Sequence, residues 1–179
     1  MKVKYYVDMD GVLAVWNQNA SEEDTHQHGY FASREPEPSA IGLVRILKEN
    51  GHDISILSSV YEDDHSADDK RKWLDKVGLS DIPQIFVPYG ADKADYIEDA
   101  DDFLPVLIDD YSKNLYVWEE KYGIAFKFFN GVNNKPRFRV VNNVLEIESD
   151  KWSGYSIDNR MTPEKMYIIV KSISEAIAA

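Results

Sequence analysis

The sequence predicts an α/β fold: a mostly parallel central sheet covered by helices on both faces, in a Rossmann-like three-layer arrangement. Short apolar runs such as "VKYYVD", "DISILSS", "QIFVP", "PVLIDD" and "IAFKFF" alternate with longer amphipathic stretches of helical period. That βαβα order calls for parallel strands joined by helical crossovers. At 179 residues, with no repeat and no Gly/Ser or Pro-rich linker, the chain reads as one domain over 1–179 with a real core.

The elements come in order. "VKYYVD" is the first strand, and a short insertion at 15–38 separates it from the helix "SAIGLVRILKENG". There Ser39 can cap the helix, Ile41, Val44 and Leu47 recur at helical spacing, and Gly51 can end it. "DISILSS" is a buried strand. In "SADDKRKWLDKVG", Ser66 with Asp69 three residues on resembles a capping box, and Gly78 closes the helix. Two further strands come next, then "SKNLYVWEEKYG", with Ser112 to cap and Gly123 to stop it, and then "IAFKFF". From 130 to 179 the pattern changes into a C-terminal extension. "FRVVNNVLEIE" reads as a hairpin turning at Asn142–Asn143. "TPEKMYIIVKSISEAIAA" reads as a helix opened by Thr162 and Pro163, whose stripe of Met166, Ile169, Val170, Ile173 and Ile177 is core-facing.

Composition narrows the function. The net charge of −12 argues against general binding to nucleic-acid backbones, where cationic side chains must replace counterions. It leaves room for small phosphorylated ligands, since a local cation inverts the local field. Most of the acidic surplus is accounted for by solubility. The chain has no cysteine, so disulfides, cysteine nucleophiles and thiolate metal sites are excluded. No apolar run approaches the ~20 residues of a membrane helix. "MKVKYYVDMDG" is unlike a signal peptide, and the expected location is the cytoplasm. Nothing in the sequence fixes an oligomeric state.

The chemistry gathers where strands end. In "VDMDG", Asp8 and Asp10 flank Met9, and on extended backbone they face the same way, each raising the cost of ionising the other. The second run ends at Ser58 and Ser59, and "PVLI" ends at Asp109 and Asp110. Each Asp alone could simply end a strand or cap a helix. Four carboxylates at one sheet edge instead call for a hard cation, and Mg²⁺ takes oxygen ligands together with a substrate phosphate.

These residues resemble the haloacid dehalogenase-like phosphatase superfamily. Its first motif, D-x-D-G-[VT], reads "DMDGV" here; its second, a strand ending in Ser or Thr, is "ISILSS"; its lysine is met by Lys93; its acidic pair is "VLIDD". Within the superfamily the chain is most similar to the 5′(3′)-deoxyribonucleotidases, through "DMDGVLA", "LIDD" and "YFASREPEPSAIGLVRILKENG". Lys70, three residues before Trp73, sits where those enzymes have a second phosphate-contacting lysine.

The resemblance implies roles. Asp8 is the nucleophile that forms an aspartyl-phosphate. Asp10 serves as general acid and base and lends its carbonyl to the metal, while Met9 and Asp10 offer backbone amides to the phosphate. Gly11 allows the sharp turn. Ser58 binds a phosphate oxygen, and Ser59 either joins it or caps the segment after it. Lys93 neutralises the phosphoryl group. The metal ligands are Asp8, Asp10 and one of Asp109 and Asp110; superfamily members with Gly-Asp here favour Asp110. Surface positions are the alternative for Lys93 and for Lys70, the latter with Arg71 and Lys72 as rival cations.

The implied function is a Mg²⁺-dependent phosphomonoesterase for a nucleoside or deoxynucleoside monophosphate. Alternatives are a phosphatase for another small phosphate ester, a polynucleotide 3′-phosphatase, and a catalytically silent metal- or nucleotide-binding module. The insertion at 15–38 is much shorter than the helical cap of the deoxyribonucleotidases. Within it Trp16, Tyr30 and Phe31 either stack on a base or pack against the core, and His26 and His28 read as surface residues. "KWSGYSIDNR", with Trp152 and Tyr155, either folds over the site in place of the missing cap or is a surface loop anchored by its Trp.

Overall fold

Backbone hydrogen bonding joins six strands into one parallel sheet, in the order β3-β2-β1-β4-β5-β8. They are β1 (Lys2–Val7), β2 (Asp53–Val60), β3 (Gln84–Pro88), β4 (Phe103–Asp109), β5 (Ala125–Phe129) and β8 (Tyr155–Asp158). The computed structural model describes residues 1–98, 100–133, 137–141, 144–148 and 152–179. Between β5 and β8 lies an antiparallel pair, β6 (Arg137–Val141) and β7 (Val144–Glu148); the expected turn at Asn142–Asn143 falls outside the described residues.

Alternation along each strand builds the two other layers. Beyond the single turn α1 (Glu22–Thr25) in the insertion, Tyr5, Val7, Ile54, Ile56, Val106 and Ile108 turn to one face, under α2 (Pro38–Glu49), α3 (Ser66–Lys76) and α5 (Pro163–Ala178). Tyr6, Leu57 and Leu107 turn to the other, under α4 (Ser112–Tyr122) and a 3-10 turn at Lys93–Tyr96. The result is the predicted three-layer α/β architecture. Among the described residues no helix is long and apolar enough to cross a membrane.

Several local expectations shift. Glu37, not Ser39, caps α2: its carboxylate accepts from the Ser39 hydroxyl at 2.9 Å, and Pro38 takes the first helical position. Ser66 lies inside α3 and makes no capping box. Asp63 accepts from the amides of His65 and Ser66 at 3.1 and 2.6 Å, while Asp69 turns away to accept from Gly29 of the insertion at 2.5 Å. Ser112 is the first residue of α4, and its hydroxyl accepts from Lys127 at 2.5 Å instead of capping. In α5, capped by Thr162, Met166 and Val170 are buried and Ile169 and Ile173 pack on the core, but Ile177 is exposed.

"KWSGYSIDNR" holds β8, the sixth strand of the sheet, and so is not simply a loop. Trp152 packs at a tilt against Tyr116 of α4, with ring centres 5.1 Å apart, and donates to the Tyr155 carbonyl at 2.9 Å. The segment therefore completes the sheet edge and α5 covers one face. Neither Trp152 nor Tyr155 lies over the strand ends where the candidate site is found.

The topology also places the site. The chain steps outward from β1 to β2 and β3, then returns to β4 on the other side of β1. The switch point between β1 and β4 is where open α/β sheets bind ligands, beyond the carboxyl ends of the strands.

Candidate active site at the carboxyl edge of the sheet

β1 stops at Val7 because the next residues fold back on themselves. The Met9 carbonyl accepts from Val12 and Ala14 at 3.3 and 2.8 Å, and the Gly11 amide donates to Ala14 at 2.8 Å. Gly11 has φ +82, and a Cβ on it would lie 2.3 Å from Asp110 Oδ2, so only glycine fits. The Met9 side chain is buried in the core, leaving only its backbone to face the site.

Strand parity gathers the charges. β4 pairs with β1 so that Ile108 lies beside Val7, and the Asp8 amide donates to the Ile108 carbonyl at 2.9 Å. Asp8 and Asp109 thus continue the face of Tyr6 and Leu107, the face that carries Lys93. The buried Lys93 ammonium bridges them, 2.7 Å from Asp8 Oδ1 and 2.7 Å from Asp109 Oδ2. Asp109 also accepts from the Tyr111 amide at 2.8 Å and the Asn114 side chain at 3.0 Å. Both its oxygens are therefore engaged by protein donors.

Asp110 is half-buried, and a carboxylate oxygen from each of Asp8, Asp109 and Asp110 lies within 4.8 Å of the others. Burial, reinforced by Asp109 and Asp10 and opposed by Lys93, pushes the Asp8 carboxyl up to about 6. Burial with Asp109 and Asp8 holds the Asp110 carboxyl well above the usual range. Burial works against the charge on Lys93, yet Asp109 and Asp8 outweigh it and hold the ammonium protonated.

A second lysine comes from the opposite face. Lys70, on α3, is fully buried and ion-pairs with Asp10 Oδ2. It also donates to Ser58 Oγ at 3.0 Å and to the Ser59 carbonyl at 2.6 Å, and lies 4.6 Å from the centre of the Phe31 ring. An ammonium has three protons, and these three acceptors take them. Lys70 is thus committed to protein groups rather than turned to a phosphate. Ser58, on the Ile56 side of β2, is buried with it, while Ser59 lines the cleft. The surface alternative holds for neither lysine.

Four carboxylates (Asp8, Asp10, Asp109 and Asp110) thus meet two ammonium groups (Lys70 and Lys93). With all four carboxylates ionised two negative charges are left over, and the cluster of Asp8, Asp109 and Asp110, with one oxygen of each within 4.8 Å of the others, fits a hard divalent cation. The site can bind a metal ion.

Above this floor lies a cleft of about 690 Å³, lined by Asp8, Asp10, Lys93, Asp110 and a set of rings. Trp16 is half-exposed at its mouth, Tyr30 is half-buried, and Phe31 is mostly buried against Lys70. Arg34 lies over the Tyr30 ring at 5.2 Å. His26 packs against Tyr61 and His28 against His65, with tilted rings whose centres are 4.1 and 5.1 Å apart. Sequence reasoning did not single out Tyr61 or Tyr89, whose rings are 5.0 Å apart in the cleft wall, nor Asn114 or Asn130. Tyr61, Tyr89 and Asn130 come directly after β2, β3 and β5, the positions a parallel sheet turns towards its ligand.

No protein-family model matches the chain, and no curated protein matches it. Among solved structures, a chain of the Pnkp1/Rnl/Hen1 complex is similar at a TM-score of 0.53 and 15% identity. The match covers 71% of this chain and 46% of that one, so the protein spans under half the length of its structural neighbour. The likeness shows a shared α/β fold.

Proposed function

We propose that the protein is a Mg²⁺-dependent phosphomonoesterase of haloacid dehalogenase-like type, a single cytoplasmic domain whose best substrate is a nucleoside or deoxynucleoside monophosphate. The observation that carries this reading is the Lys93 bridge between Asp8 and Asp109, beside an Asp10 anchored by a second buried lysine. That array supports a reading in which a nucleophile, a proton-transfer group and a phosphate-neutralising cation share one strand edge.

In this reading Asp8 attacks phosphorus in line, forming an Asp8 O–P bond as the ester P–O bond breaks. Asp10, carrying a proton on Oδ1 when substrate is bound, gives it to the departing alcohol, then takes one from the water that attacks the aspartyl-phosphate and releases phosphate. Lys70 holds Asp10 through Oδ2 and leaves Oδ1 for these transfers. Lys93 keeps Asp8 oriented and stabilises charge on the phosphoryl oxygens. Met9 and Asp10 amides and the Ser59 side bind the remaining phosphate oxygens.

Asp8, Asp110 and the Asp10 carbonyl would hold Mg²⁺. Asp109 acts behind them by fixing Lys93, since its own oxygens are engaged. When bound, the cation supplies electrostatic stabilisation of the phosphoryl group.

Rings on the cleft wall support a leaving group with a planar base. Tyr89 is largely exposed and packs on Tyr61. Base–aromatic stacking is worth about 1–3 kcal/mol, so Tyr89→Ala should raise KM for nucleoside monophosphates about fivefold or more and leave KM for acetyl phosphate unchanged. A second reading is action on the phosphorylated end of an oligonucleotide. It draws on the exposed rings of Trp16 and Tyr111 at the mouth, beyond the floor; the charge of −12 speaks against it.

Phosphate release should be measured from nucleoside monophosphates, sugar phosphates and 3′-phosphorylated oligonucleotides, with Mg²⁺ or EDTA. We expect Mg²⁺-dependent turnover of a monophosphate, and a loss on the order of 10⁵-fold in Asp8→Asn. Unchanged activity in that variant would sink the mechanism, and preference for oligonucleotides would sink only the substrate.

A further inference from the structure

We propose that Asn130 is a positioning residue of this site: its side-chain amide clamps the Asp110 carboxylate to the Gly11 turn and so presets the cation-binding geometry. The proposal rests on the metal reading above.

Asn130 leaves the end of β5 with every polar group of its side chain engaged. Nδ2 donates to Asp110 Oδ2 at 3.0 Å and to the Gly11 carbonyl at 2.9 Å. Oδ1 accepts from the amides of Val132 and Asn133 at 3.0 and 3.1 Å. The orientation of the amide is unambiguous, because backbone N–H groups can only donate while a carbonyl and a carboxylate accept. Two more asparagines brace it. Asn133 donates to the Asp110 and Phe128 carbonyls at 3.1 and 2.9 Å, and its Oδ1 accepts from the Asn130 backbone N–H at 3.1 Å. Asn159, just past β8, donates to the Asn130 carbonyl at 3.1 Å.

The clamp acts at one contact. Asp110 Oδ2 lies against the bare Cα of Gly11, in the space a Cβ would occupy. A carboxylate that close to the turn carrying Asp8 and Asp10 needs a donor to hold it, and the Asn130 amide bonds both parts at once. With Oδ2 taken, the other Asp110 oxygen is left for a cation shared with Asp8. Asparagine suits the place: aspartate would add a fifth carboxylate, and serine cannot span from the loop amides to Asp110.

Removing such an outer-shell partner typically costs about 10–100-fold in metal affinity. The test is Mn²⁺ titration of the full chain followed by electron paramagnetic resonance, with melting in EDTA measured in parallel. Asn130→Ser should bind Mn²⁺ at least about tenfold more weakly. It should melt close to wild type, because a serine hydroxyl can still accept from the amide two residues on. Asn130→Thr repeats the test if serine loosens the loop. Asn159→Ala, which supports the clasp without touching Asp110, should melt lower and keep its Mn²⁺ affinity. Wild-type affinity in folded Asn130→Ser and Asn130→Thr would overturn the proposal, as would an equal loss in Asn159→Ala. A wild-type chain that binds no Mn²⁺ would overturn the metal reading with it, so the two failures are distinct.

Discussion

Lys93 and Lys70 reach the same edge of the sheet from opposite faces, and their surroundings differ in kind. Lys93 lies between two carboxylates, Asp8 and Asp109, whose side chains are 9% and 0% exposed. Lys70 meets one carboxylate, a hydroxyl, a carbonyl and a ring, and its partner Asp10 is 24% exposed. One lysine balances two buried carboxylates. The other fixes the position of Asp10, the proton-transfer group of the proposed mechanism. The same side chain takes two jobs because strand parity sends Asp8 and Ser58 to different faces.

Breaking the Lys93 half should cost most. Lys93→Met leaves two buried carboxylates without their cation, a loss of about 3–5 kcal/mol in urea unfolding without metal. Mg²⁺ should recover part of it, and kcat should fall by about 10²–10³-fold. Equal stability of mutant and wild type in EDTA would refute the charge-balancing role.

Lys70→Met should cost less, about 1–3 kcal/mol, since water can reach Asp10. Its kcat should fall about tenfold to a hundredfold with KM little changed, the mark of a misplaced acid–base group. A rise in KM comparable with that of Lys93→Met would instead show Lys70 touching phosphate.

pH sharpens the contrast further. The Asp8 carboxyl rises from 3.8 to about 6 in the folded chain, so without metal the folded state binds a proton that the unfolded state releases. That contribution stabilises the fold at low pH and is lost as pH rises through about 6. Cation binding has the opposite slope, because it must displace the proton. The Mg²⁺-induced rise in melting temperature should therefore grow between pH 5 and 7, with affinity changing by up to about tenfold per pH unit per proton displaced. Lys93→Met should move the transition upward in pH, whereas Lys70→Met should leave it in place. A rise independent of pH would mean that Asp8 does not hold the cation.

Much of the site was legible because it sits on periodic elements. The runs ending at Asp8 and Asp109 announced strands, and parallel strands share one carboxyl edge, so their terminal side chains had to meet. Lys93 came from the family resemblance; its 3-10 turn has no pattern that would point to Asp109. Lys70 was legible as a residue but not in its role, because its three acceptors come from β2 and the Asp10 turn. β8 escaped notice because "YSID" is four residues long and becomes a strand only by pairing with β5. Asn130 was not singled out, because its partners Asp110 and Gly11 lie far from it in sequence. The caps moved by a residue or more where Pro38 and Asp63 competed better than the neighbouring serines.

By itself the sequence determined the layers, the strand ends and the crowding of Asp8, Asp10, Asp109 and Asp110, since apolar periodicity fixes which face each side chain takes. Only the tertiary structure decided which lysine meets which carboxylate, that Asp109 commits its oxygens to protein donors, and that Asn130 ties Asp110 to Gly11. Those are contacts between segments up to 119 residues apart, and no local pattern specifies the partner of a polar group that the folded chain brings to it.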